Sequence, residues 1–149
     1  MLSALSLSPK QRITQYFKIQ RRVFDQFDFL SVSCELRRLL RRPMIVVWDN
    51  LRAHKAAEKS VRLLEKRGIE FEPLPSYAPE LNPVEAGWSS SKYGDLSNFA
   101  PQDADELERA VIASLRGQRE NQALLRSFFQ AAKLKIERPN KAKPGPMRK

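Results

Sequence analysis

Two carboxylates stand where chemistry could be done. Asp49 follows an apolar run, Met44-Ile45-Val46-Val47-Trp48, and is followed by Asn50. Five apolar residues in a row form a strand covered on both faces, in the middle of a sheet. An acid at the C-terminal end of such a strand sits where open α/β sheets gather their ligands, with a rigid backbone behind it. An Asp-Asn pair also begins turns, so this position has a plain structural use as well. Glu85 follows Pro83, which suits the first turn of a helix. A carboxylate there is favoured by the helix dipole in any case. Brought together, Asp49 and Glu85 offer hard oxygen atoms that suit Mg²⁺ or Mn²⁺. Paired ions of that kind drive in-line phosphoryl transfer.

The elements that must position these residues alternate in type. Leu2 to Ser8 and Arg12 to Gln20 are strand candidates, joined as a hairpin by a turn at Pro9-Lys10. Asp25 to Leu40 has helical spacing in Phe29, Val32, Leu36 and Leu39/Leu40. Arg37, Arg38, Arg41 and Arg42 crowd its end, and Pro43 stops it. After the Met44–Trp48 strand, Lys55 to Arg67 forms a helix with Ala57, Val61 and Leu64 on one face and Gly68 as its stop. Ile69 to Glu72 is a further strand. A loop with Pro73, Pro75, Pro79 and Pro83 leads to a helix running toward Lys92. Asp103 and Glu106 give a capping-box-like start to a helix through Arg116, with Leu107, Val111 and Leu115 inward. A last helix spans Gln122 to Lys133. From Arg138 onward, Pro, Lys and Gly dominate, which is the composition of a disordered basic tail. The domain is therefore expected over 1–137 and the tail over 138–149. The order predicts an α/β fold with a mixed sheet and flanking helices.

Composition narrows the partners. The chain has 149 residues and a formal charge of +10, which favours nucleic acid over other ligands. No eighteen-residue apolar run is present, so no membrane helix is expected. The apolar start lacks the basic residues of a secretory leader. The one cysteine, Cys34, can form no internal disulfide, in keeping with a reducing compartment such as the cytoplasm.

Three segments then carry a family likeness: V-V-W-D-N-L-R-A-H-K, L-P-S-Y-A-P-E-L-N-P-V-E and W-S-S-S-K. With 35 residues between Asp49 and Glu85, they resemble the DDE-superfamily transposases of bacterial insertion sequences related to the mariner elements. The resemblance implies a ribonuclease-H-like fold, two Mg²⁺ (or Mn²⁺) ions, DNA nicking, and transfer of a 3′-hydroxyl to target DNA. It assigns Asp49 and Glu85 as catalytic and metal-binding, with Asn50, His54 and Asn82 in support. Tyr77, Lys92 and the cluster Arg37, Arg38, Arg41 and Arg42 are the candidate DNA contacts. The family's first Asp lies on the first strand, upstream of a segment like L-S-A-L-S-L-S, which here opens the chain. Asp25, Asp28 and Glu35 lie near or in the first helix and are not promoted to that role. The expectation is a catalytic-domain piece that lacks the first strand. It would need an upstream partner and form a homo-oligomer when complete. The alternative is a non-catalytic DNA-binding remnant or an inhibitor of the full transposase. A third, weaker reading is another ribonuclease-H-like nuclease drawing on Asp103, Asp105 or Glu106.

Overall fold

The computed structural model describes residues 1–49, 64–76 and 78–136. β1 (Leu2–Leu7) and β2 (Ile13–Lys18) pair antiparallel, from Leu2 opposite Lys18 to Leu7 opposite Ile13. The connecting turn closes where the Gln11 amide donates to Ser8 O at 2.7 Å, with Gln11 at φ 61°. β3 (Met44–Trp48) and β4 (Ile69–Pro73) pair parallel, Met44 with Ile69 and Trp48 with Pro73. Among the described residues the chain thus has both strand senses, as a mixed α/β protein should, but in two separate two-stranded sheets.

β3 departs from its expected burial. Met44, Val46 and Trp48 are half-buried, while Ile45 is 62% exposed and Val47 59% exposed. An apolar run is buried on both faces only where both faces are covered, and here one is open. The covered side includes Trp48 against Phe71, ring centroids 4.5 Å apart.

α1 (Gln26–Leu40) begins as its sequence demands. The Asp25 side chain accepts from the Phe27 and Asp28 amides, and Asp28 accepts from the Asp25 amide at 2.9 Å, a reciprocal capping box. Arg22 forks onto both Asp28 oxygens at 2.7 Å. Arg41, in the left-handed conformation, closes the helix by donating to Arg37 O. The apolar periodicity does not become a core face. Asp28 and Ser33 are the buried residues of α1, and Leu39 is 68% exposed.

The Arg22 fork and the Asp25 amide hold the Asp28 carboxyl well below the usual carboxylate range. A depressed carboxylate stabilises the fold fully above its unfolded pKa, about 3.9. That contribution drains away as pH falls toward the folded value. Asp28→Asn should therefore destabilise the protein at neutral pH, with the difference from wild type shrinking below about pH 4. Urea melts of both proteins at neutral and acid pH check this. A difference that is independent of pH would refute it.

Three more α-helices follow among the described residues: α2 (Pro83–Ser90), α3 (Ala104–Glu120) and α4 (Gln122–Ala131). α3 runs one turn beyond the expected Arg116. Asn121 then caps α4 by accepting from the Leu124 amide. The hydrophobic core joins Ile13 of β2 to Leu125, Phe128 and Phe129 of α4, with Leu5 and Ala86 packed against it. Gln122 fastens the start of α4 to β2, accepting from the Ile13 amide and donating to the Ile13 carbonyl at 2.7 Å. On α3, Leu115 is buried as expected, whereas Leu107 is 43% exposed. Arg21 pairs with Asp105 and ties the loop after β2 to the first turn of α3.

Candidate functional site on the Glu85 helix

Glu85 is presented by a chain of turns. A single 3₁₀ turn, Pro79–Leu81, closes when the Asn82 amide donates to Pro79 O. Asn82 then caps α2, its Oδ1 accepting from the Val84 amide at 3.1 Å. Pro83 occupies the first helical position, where its missing N–H costs nothing. Glu85 follows in the first turn, exposed. It lines a shallow cleft of about 240 Å³ together with Glu80, Asn82, Ser89, Ala131 and Ala132. Asn82 thus both closes the 3₁₀ turn and caps the helix that carries Glu85.

Asp49 follows β3 directly and is half-buried. The β3–β4 ladder continues to its doorstep, since the Leu74 amide donates to Trp48 O at 2.7 Å. Asp49 is not among the walls of the Glu85 cleft. Among the described residues no three His, Cys, Asp or Glu side chains converge. Two carboxylates, one at a strand end and one in a first helical turn, fit a hard divalent cation in kind. The described residues bring no third ligand to them.

Asn50, His54 and Tyr77 lie outside the described residues, as do the part up to Leu63 of the helix expected over Lys55 to Arg67 and the segment beyond Ile136. Of the basic candidates, Arg38, Arg41 and Arg42 are exposed. Arg37 is half-buried and donates from Nε to Arg67 O at 3.1 Å, so it ties α1 to the turn before β4. That turn needs Gly68, whose φ is +73°. Lys92 is exposed, with its ammonium 5.0 Å from the centroid of the Tyr93 ring. Trp88 is half-buried.

Sequence reasoning missed two features behind Glu85. α2 does not continue as an α-helix to Lys92. It widens into a π-helical turn, Ser91–Asp95, closed by the Leu96 amide on Ser91 O. Such turns are rare and cluster at functional sites. Behind that turn lies a buried polar network of Gln15, Ser91, Ser114 and Gln118. Helical spacing carried a signal for two of them, because Ser114 falls at i+3 from Val111 and Gln118 at i+3 from Leu115, both expected to point inward.

The family model for DDE superfamily endonuclease matches residues 1–108. The chain belongs to this family. No curated protein and no solved structure matches it. Family membership makes DNA the substrate class of this DDE endonuclease homologue and phosphodiester cleavage its general activity. The match contains both Asp49 and Glu85. It ends within α3, so the last twelve residues of that helix (109–120) and all of α4 lie beyond it. Among the described residues, no helix of this DDE-family chain is long and apolar enough to cross a membrane.

Proposed function

We propose that this chain is part of a transposase of the insertion-sequence type related to mariner elements. It nicks DNA and transfers a 3′-hydroxyl to target DNA by metal-dependent phosphoryl transfer. Asp49 and Glu85 are the ligands this chain contributes. They would hold Mg²⁺ or Mn²⁺, which when bound activates the attacking oxygen and stabilises the leaving one. A segment encoded upstream supplies the first Asp. What carries this reading is the placement of the two acids inside the family match, Asp49 at the end of a strand and Glu85 in an exposed, capped helical turn.

The two sheets support the need for another strand. A two-stranded sheet is marginal on its own, and its edges present unpaired backbone groups. A strand from the upstream segment would pair against such an edge and make one mixed, ribonuclease-H-like sheet.

A supercoiled plasmid tests the proposal. With Mg²⁺ or Mn²⁺, the chain alone should nick it negligibly, whereas the chain co-purified with the upstream product should convert it to open circle. If the chain alone nicks and loses this with Asp49→Ala, the upstream requirement is wrong. If the combination binds DNA with a steep salt dependence but never nicks, the protein is a DNA-binding remnant. The charge of +10 is the feature that keeps that second reading in play.

A further inference from the structure

We infer that Gln118 is the positioning residue of the Glu85 helix. α2 has eight residues, too few to hold a helix by backbone hydrogen bonding alone. Where Glu85 points therefore depends on what grips α2 from behind. Gln118 of α3 is 1% exposed and sits at that grip. Its Nε2 donates to Gly87 O at 3.0 Å, two residues from Glu85, and to Ser91 Oγ at 2.8 Å, at the start of the π-helical turn.

The orientation of the network is fixed by chemistry. Gly87 O can only accept, so the Gln118 amide nitrogen must face it and Oε1 must face away. That oxygen accepts from Gln15 Nε2 of β2 at 3.0 Å. Both amide hydrogens of Gln118 are then committed. Ser91 Oγ accepts one of them and passes its own hydrogen on to Ser114 Oγ at 2.8 Å. Ser114 donates in turn to Asp95 Oδ2 at 2.6 Å, the far end of the same turn. Apart from the branch to Gly87 O, the bonds run one way, from Gln15 through Gln118, Ser91 and Ser114 to the carboxylate of Asp95. Bonds aligned like this polarise and reinforce one another in a buried setting. The packing around Gly87 is close, since a Cβ there would stand in ordinary van der Waals contact with Gln118 Oε1 at 3.6 Å and the Phe128 ring at 3.5 Å.

The consequence is that the carboxylate inside the family match is aimed by a residue ten positions beyond its end. The inference rests on the reading of Glu85 as a metal ligand, but the grip itself can be tested without it. Gln118→Met keeps the length of the side chain and removes every hydrogen bond. In hydrogen exchange on the chain alone, amides over 87–96 should exchange at least about tenfold faster. Those of α4 should be unchanged. Ser91→Ala should give a smaller change in the same segment, and a smaller one still in the Gln118→Met background, where only its bond to Ser114 is left to lose. If Gln118→Met does not fold, Ser91→Ala alone still decides. Exchange raised uniformly across the chain, or unchanged over 87–96, overturns the grip.

A second arm reads Glu85. In the complex with the upstream product, Gln118→Met should raise the Mn²⁺ concentration for half-maximal nicking about tenfold, equivalent to about 1.4 kcal/mol, at unchanged DNA affinity. An unchanged Mn²⁺ requirement overturns the positioning role. If the wild-type complex does not nick, the functional reading has failed, and the exchange arm still stands on its own.

Discussion

Glu85→Gln and Asp49→Asn, each assembled with the upstream product, should lower the nicking rate by about two to three orders of magnitude, the cost of losing one preorganised electrostatic stabiliser. The exchange of oxygen for amide barely changes volume, so folding is not the readout. DNA affinity should hold or rise slightly, because each change removes a negative charge from a surface that must accept phosphates. Glu80 provides the control. It lines the same cleft as Glu85 and carries the same charge. It precedes the Asn82 cap rather than standing on the capped helix. Glu80→Gln should leave the rate within a factor of about three, under about 0.7 kcal/mol. If Glu80→Gln costs as much as Glu85→Gln, the cleft holds its ions in another way. If neither Asp49→Asn nor Glu85→Gln affects nicking, the activity belongs to the upstream product alone. Single-turnover nicking beside filter binding separates these outcomes.

What could be read from the sequence and what could not divides along physical lines. Local rules were legible. Pro9 and Lys10 marked the hairpin turn, Asp25 and Asp103 marked helix starts, and Gly68 marked a stop. Pro83 placed Glu85 in a first turn for a reason that needs no tertiary contact. The box expected at Asp103 formed in a shifted version: Asp103 accepts from the Glu106 amide, but Glu106 reaches the amide of Gln102 instead. Failures came where burial depends on what else is present. Ile45 and Val47 are as apolar as any central strand requires, yet the residue type cannot say whether a neighbouring layer exists. Leu39 and Leu107 kept helical spacing without gaining a partner face. The opposite error concerned polar residues. Apolar periodicity scores only apolar residues and so passes over Ser114 and Gln118, although they share a face with Val111 and Leu115; a polar side chain is buried without penalty when every group on it is satisfied. Gln118 has such a set of partners, and only the assembled fold displays it.

Phe128→Ala should be the most destabilising single change in the C-terminal helices, at about 3–5 kcal/mol. Phe128 is 3% exposed and belongs to the cluster with Ile13, Leu125 and Phe129. Truncation removes the transfer energy of a large aromatic side chain and leaves a cavity that rigid neighbours cannot fill. A domain of this size has only about 5–15 kcal/mol in total, so much of its stability would go. The effect reaches the functional site, because the same ring lies against the backbone of Gly87. Phe128 and Gln118 therefore grip one helix in two ways, one by packing and one by hydrogen bonds. They should be distinguishable. Phe128→Ala should lower the urea midpoint of the whole transition and speed exchange in β2, α2 and α4 together, since its contacts span all three. Gln118→Met should act mainly on α2 and the turn after it. Leu107→Ala, at a position 43% exposed, should stay within about 1 kcal/mol and serves as the helix control. A Phe128→Ala protein as stable as the Leu107→Ala protein would mean that α4 does not form the core drawn from Ile13. The brace behind Glu85 would then have to be sought elsewhere in the chain.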